Sequence, residues 1–180
     1  MVYLFLADGF EECEALCPLD ILRRGGIEVK TVGVEKEYIT GTHGITVKAD
    51  ILESQVVLDG NLQGVILPGG MPGTNNLENS KTVKGAVAFA NENKKLVCAI
   101  CAAPKILGGM GLLMGKNATC FPGFENDLMG ANLSSDCVLQ DGNIITAKGV
   151  GVAFEFGFKI LENLTDKNTV TDLRKKMQFS

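Results

Sequence analysis

Histidine is almost absent from this chain: His43 is the only one in 180 residues. A site that needs two histidine ligands, such as a His-Glu-x-x-His zinc helix, is therefore excluded, and no metal is expected. Positive charge is scarce too, with 17 Lys and Arg against 21 Asp and Glu and a formal charge of −4. No surplus of cations is left to neutralise phosphates, which argues against nucleic acid as a partner. The cluster Arg174-Lys175-Lys176 reads as a solvated helix end. No apolar run approaches the roughly 18 residues of a membrane span, so no membrane partner is expected. The opening residues, Met1 to Asp8, carry no basic region, and their apolar run is too short for a signal peptide. The expected location is cytoplasmic. There the six cysteines remain thiols, and the sequons at Asn117, Asn132 and Asn163 carry no glycan.

Glycine at 22 and proline at 5 stay below low-complexity levels, while 46% hydrophobic and 21% charged residues exclude disorder. Repeats, linkers and charge blocks are missing, which leaves one domain over residues 1–180. Apolar runs alternate with helical patterns from end to end, the rhythm of an α/β fold. Strands are predicted at 2–6, 28–34, 64–67 and 96–100, near 117–120, and as a pair at 136–139 and 143–147. Residues 37–48, centred on Thr42-His43-Gly44, read as an antiparallel excursion. Helices are predicted from Glu11-Glu12 to Gly25-Gly26, over 80–93, from Pro104 to about Gly108, and near 151–163 and 169–177. Ligands in open parallel sheets gather beyond the carboxyl ends of the strands. Two such ends stand out, one before Gly69 and one before Cys101.

Leu96-Val97-Cys98-Ala99-Ile100 runs without a turn residue into Cys101-Ala102-Ala103-Pro104. A cysteine between a buried strand and a first helical turn meets unpaired backbone N–H groups, which favour an anion. The expectation is a reactive Cys101 with a lowered thiol pKa, exposed at a nucleophile elbow. Gly69-Gly70 ends the other strand, where paired glycines let amides approach an oxyanion. Glu14 is the third candidate: a carboxyl touching a thiolate should have a raised pKa and donate a hydrogen bond to the sulfur. The remaining cysteines weigh less. Cys98 lies inside the apolar strand, so its C-x-x-C spacing with Cys101 is not read as a redox pair. Cys13, Cys17 and Ile21 share one helix face, an apolar stripe for the core or a dimer contact rather than a metal site. Cys120 and Cys137 are predicted in strands, and Gly108-Gly109 ends a helix rather than forming a phosphate loop.

Four segments carry a family resemblance: Gly9-Phe10-Glu11-Glu12-Cys13-Glu14-Ala15, Leu67-Pro68-Gly69-Gly70, Ala99-Ile100-Cys101-Ala102-Ala103-Pro104 and Gly149-Val150-Gly151-Val152-Ala153-Phe154-Glu155-Phe156. In order and spacing the chain resembles the ThiJ/PfpI superfamily, in the branch of the Parkinson-disease protein deglycase and its bacterial relatives. The resemblance implies a flavodoxin-like sandwich of the class I glutamine amidotransferase-like type, with a mostly parallel sheet and helices on both faces, usually as a homodimer. It implies that Cys101 is the reactive, peroxide-sensitive residue and that Glu14 hydrogen-bonds it. Gly70 and Ala102, flanked by Gly69, supply the amides of the anion hole. Two departures stand against the pattern. Phe121 occupies a place where many relatives carry histidine, so a Cys-His dyad is lost, and Ala102 replaces the histidine of the peptidase-like branch. His43 falls near a position that in relatives is often an arginine at the pocket mouth or dimer edge, although a lone histidine on a turn ordinarily faces solvent.

The function expected is stress protection against small reactive carbonyls, of the glyoxalase or deglycase type, in which Cys101 adds to a 2-oxoaldehyde and a 2-hydroxy acid is released. Neither cofactor nor glutathione is required. The alternative is a redox sensor or chaperone in which peroxide oxidises Cys101 to a sulfinate.

Overall fold

The computed structural model describes residues 1–179. In chain order its elements are β1 (Val2–Leu6), α1 (Glu12–Arg24), β2 (Val29–Gly33), β3 (Tyr38–Thr40), β4 (Thr46–Lys48), β5 (Ile51–Leu52), β6 (Gly64–Leu67), α2 (Gly73–Asn79), α3 (Lys81–Glu92), β7 (Leu96–Ile100), α4 (Pro104–Gly109), β8 (Asn117–Ala118), β9 (Asn132–Leu133), β10 (Val138–Asp141), β11 (Ile144–Ala147), α5 (Ala153–Leu164) and α6 (Lys167–Lys176). Seven strands form one sheet in the order β10-β11-β7-β6-β1-β2-β5. Every neighbouring pair is parallel except β10 with β11, a hairpin at the edge. The excursion predicted over 37–48 is the antiparallel pair β3-β4, with Tyr38 opposite Lys48.

The period-2 geometry of the central strands divides the core in two. Tyr3, Phe5, Val65, Leu67, Val97 and Ala99 pack with Leu77 of α2, Val83, Ala86, Val87 and Ala90 of α3, and Ile106 and Leu107 of α4. Val2, Leu4, Leu6, Ile66, Cys98 and Ile100 pack on the opposite side with α1, α5 and Leu173 of α6. This is the flavodoxin-like sandwich expected, a mostly parallel sheet with helices on both faces. Complete burial of Phe5, Phe10 and Phe156 contributes on the order of 2–3 kcal/mol each. Close packing of α1 on α5 depends on Gly157, where a methyl group would lie 2.7 Å from Ile21 Cδ1 and 2.9 Å from the Pro18 backbone. That contact holds the helix carrying Glu14 against the sheet.

Some expectations need correction. Residues 73–79 form a helix that the sequence pattern does not announce. The strand near 117–120 shrinks to the two residues of β8, which pair with β9 in a separate small sheet, so Cys120 lies beyond it. Cys137 directly precedes β10 instead of lying in a strand. The stripe from Cys13 to Ile21, expected to face the core or a dimer contact, is divided within the chain: Ile21 is fully buried in the core, Cys17 is partly buried and Cys13 is exposed. Among the described residues no helix is long and apolar enough to cross a membrane.

Candidate functional site: an acid–thiol pair at the strand ends

Cys101 follows β7 directly, and Pro104 takes the first position of α4. The backbone at Cys101 has φ 65°, in the left-handed region that a side chain with a Cβ rarely enters. Two hydrogen bonds hold this strained turn: the Cys101 amide donates to the Ala147 carbonyl (2.9 Å), and its own carbonyl accepts from the Phe121 amide (2.9 Å). Such strain persists only where surrounding structure over-determines it. The result is the expected elbow, with the sulfur half-buried above the sheet rather than inside it.

Glu14 reaches the sulfur from the first turn of α1. Glu11 caps that helix, its carboxylate accepting from the Glu14 amide at 2.7 Å, and the Glu11 amide donates to the Gly69 carbonyl at 2.9 Å. Helix start and β6 end are thereby locked together. Glu14 is 1% exposed. Its Oε2 accepts from the Gly69 amide at 2.9 Å, and it also shares hydrogen bonds with Val150 N–H and Cys101. The three backbone positions expected around the sulfur therefore divide their work. Gly70 and Ala102 amides donate to Cys101, whereas the Gly69 amide serves Glu14.

Both glycines are sterically required. A methyl on Gly69 would lie 2.6 Å from Cys101 Cβ and 2.6 Å from Glu14 Oε2. At Gly70, φ is 89°, and a methyl would lie 2.4 Å from the Glu11 nitrogen and 2.5 Å from the Gly9 carbonyl oxygen. Backbone cannot swing aside as a side-chain tip does. Gly70→Ala is expected to lower unfolding free energy by about 2 kcal/mol or more, read as an earlier denaturant midpoint at unchanged slope.

Electrostatics correct one expectation and support another. Burial raises the Glu14 carboxyl to about 7, with the charge of Glu11 adding to it, against the bonds from Cys101, Gly69 and Val150. This matches the raised carboxyl expected. The thiol does not behave as helix-end reasoning expects: burial first, then the charge of Glu14 and its hydrogen bond, push Cys101 up to about 12, and the Ala102 and Gly70 amides only partly offset them. A six-residue helix supplies too little dipole to reverse this. The upward push from Glu14 exists only while Glu14 is ionised, so the two groups titrate as one unit. Below about pH 7 the pair carries both protons, and above it one proton and one negative charge are left between carboxyl and sulfur.

His43 is bonded to the start of α1. Its side chain is 69% exposed, and Nδ1 sits 2.7 Å from Glu12 Oε2. The same carboxylate accepts the His43 amide at 2.7 Å and the Thr42 hydroxyl at 3.3 Å, pinning the turn between β3 and β4 onto the start of α1. Burial alone would raise Glu12, but the bonds from His43 outweigh it and hold the carboxyl at about 2. Oxygens of Glu11 and Glu12 and a His43 nitrogen lie within 4.8 Å of one another, yet the Glu12 oxygens are already occupied by these donors. Glu12→Gln is expected to loosen the turn and to remove an acid-sensitive part of stability. Because the folded carboxyl titrates below its unfolded value of 4.5, this contribution is present above pH 4.5 and lost as pH falls toward 2. Comparing the pH dependence of unfolding midpoints in wild type and variant measures it.

Pocket size does not locate the chemistry. A groove of about 840 Å³ lies at the opposite ends of the strands among Gln63, Asn91, Lys94, Lys95, Lys116 and Asn143. A smaller hollow of about 200 Å³, lined by Phe121, Pro122 and residues 148–152, adjoins the acid–thiol pair. Sequence reasoning gave no role to Val150, although its segment was singled out as a motif. The Phe121 amide bond to Cys101 also had no local signal.

Fold and site together define an α/β protein with a strained cysteine elbow and a buried glutamic acid bonded to the sulfur. A family model described as DJ-1/PfpI family matches residues 1–163. The chain belongs to the DJ-1/PfpI family. It is 35% identical over 175 residues to protein DJ-1 homolog B of Arabidopsis thaliana, covering 96% of this chain but 40% of that protein. A deglycase of Pyrococcus abyssi is 33% identical over 152 residues, covering 83% of this chain and 90% of the relative. The solved structure of oxidized Toxoplasma gondii DJ-1 superposes with a TM-score of 0.94 at 30% identity, covering 99% of this chain and 98% of that one.

Proposed function

We propose that the protein detoxifies small 2-oxoaldehydes, converting them to 2-hydroxy acids without glutathione or a bound cofactor. The observation that carries this reading is the buried Glu14 carboxyl hydrogen-bonded to Cys101 at a strained elbow, with the Gly70 and Ala102 amides facing the sulfur. As the sulfur attacks the aldehyde carbon, a C–S bond forms and the pair's proton resides on Glu14. Amides of Gly70 and Ala102 hold the developing oxyanion, which then takes that proton to give a hemithioacetal. Glu14, ionised again, removes the hydrogen from C1 and returns it to C2. The hydroxyl proton passes from the first oxygen to the second, leaving a thioester. Water cleaves the C–S bond, releasing the 2-hydroxy acid and restoring the thiol. C1 is oxidised and C2 reduced within one molecule, so no external redox partner enters.

Kinship with a protein named deglycase supports carbonyl chemistry at this cysteine. Phe121 cannot relay protons, so Glu14 is the sole acid–base group and turnover is expected to be slow. Lactate formation from methylglyoxal, measured without glutathione, tests the reading: steady production above the protein-free rate supports it, and production equal to that rate overturns it.

A second reading, redox sensing, draws on the same amides, which would also bind a sulfinate. One thiol and two peroxide molecules give a sulfinic acid and two waters. Intact mass after graded peroxide decides it, since the sensor reading fails if Cys101 is not the first residue modified. A homodimer remains part of the proposal, and sedimentation is expected to report about twice the 19.1 kDa chain mass.

A further inference from the structure

Two large apolar side chains meet solvent beside the elbow: Phe121 is 46% exposed and Val150 51%. Exposed apolar residues gathered at one place, unlike scattered ones, mark a surface that receives something. Phe121 and Val150 line the hollow of about 200 Å³, together with Pro122, Gly149 and Val152, and Lys148 is the only charged residue along it.

The hollow is tied to the acid–thiol pair through three contacts. The Phe121 amide donates to the Cys101 carbonyl at 2.9 Å. The Val150 amide donates to Glu14. A methyl built on Gly149 would lie 3.2 Å from Phe121 Cδ2 and 3.7 Å from Glu14 Oε1, so the floor of the hollow is also a wall of the Glu14 site.

We propose that this hollow, walled by Phe121 and Val150, receives the aromatic substituent of an arylglyoxal bound at Cys101, making Phe121 a specificity-determining residue. The inference rests on the carbonyl reading above and names the substrate class of that site. With C1 bonded to sulfur and its oxygen between the Gly70 and Ala102 amides, the acyl substituent needs a third direction. Gly69 closes one side, because even a methyl there would meet Cys101 and Glu14 at 2.6 Å. The Phe121–Val150 side is open and apolar. An aryl ring placed there stacks on the Phe121 face and leaves no polar group unpaired, whereas methylglyoxal leaves the apolar surface wet. The position that would carry a proton-relaying histidine thus trades acid–base capacity for a hydrocarbon contact.

The test compares kcat/KM for phenylglyoxal and methylglyoxal in wild type and in Phe121→Ala. The expected result is a preference for phenylglyoxal of about tenfold or more. It should fall to near unity in Phe121→Ala, whose backbone amide can still donate to the Cys101 carbonyl. Val150→Ala should lower the same ratio if Phe121→Ala folds poorly. Equal values for the two aldehydes in wild type overturn this inference while leaving the carbonyl reading intact. Turnover of neither aldehyde removes the carbonyl reading and this inference with it. A preference that survives in Phe121→Ala while the sedimenting mass of the protein halves assigns the hollow to a second copy of the chain, which also overturns it.

Discussion

Cys101→Ser is expected to lower 2-hydroxy acid formation on the order of a thousandfold or more, with folding stability little changed. A hydroxyl is a far weaker acid than a thiol, so Glu14, poised near 7, cannot draw its proton as a carbonyl approaches. Oxygen, the smaller atom, also fits the space left by sulfur, so the elbow and its bonds to Ala147 and Phe121 persist. Any residual rate should come from the Gly70 and Ala102 amides and Glu14 acting on hydrated aldehyde. The measurement is lactate production at saturating methylglyoxal with matched far-ultraviolet dichroism. Retention of more than a tenth of the rate would place the chemistry on another residue.

Glu14→Gln carries the second large effect, a loss of about a hundred- to ten-thousandfold in kcat/KM. Its pH dependence has a definite sign. In wild type the reaction needs the pair to have shed one of its two protons, so kcat/KM should rise as pH increases through about 7 and then level. Glutamine has no such proton to lose, and the limb should vanish along with the rate. Stability moves the other way. Folding raises the Glu14 carboxyl above its ordinary value of 4.5, so the neutral acid is the form the fold prefers. That preference is fully present below pH 4.5 and is lost as pH rises through about 7, at a cost of about 3 kcal/mol by linkage. Glu14→Gln should therefore be the more stable protein at alkaline pH and the less active one throughout. Parallel denaturant titrations at acid and alkaline pH would reveal an unchanged difference if Glu14 were instead ionised in both states.

Much of this was legible in the chain. Strand and helix alternation placed β1, β6 and β7, because strands buried on both faces read as short continuous apolar runs. Cys101 was identifiable because nothing but small residues separates the end of β7 from Pro104. Other features carried no local signal. Helix α2 follows Pro72, opens at Gly73 and contains Asn75-Asn76, all of which read as turn; tertiary bonds hold it, from Asn76 Nδ2 to the Asp8 carbonyl at 2.9 Å and from Lys105 to Asn75 at 3.1 Å. The Val150 donor to Glu14 and the Phe121 donor to Cys101 join residues far apart in sequence, and no periodicity reports such pairs. The high thiol pKa departs from the sequence expectation for a related reason. Helix-end amides are visible in a sequence, while the burial of a particular sulfur and the charge of a distant carboxylate against it emerge only from the fold.

The sharing of one proton between Glu14 and Cys101 is tested most directly by the pH dependence of Cys101 alkylation, in protein whose other five cysteines are replaced. With Glu14 present, the rate should inflect near pH 7, and Glu14→Gln should move that inflection upward. Superimposable profiles, both inflecting near the ~8.5 of a free cysteine, would contradict it.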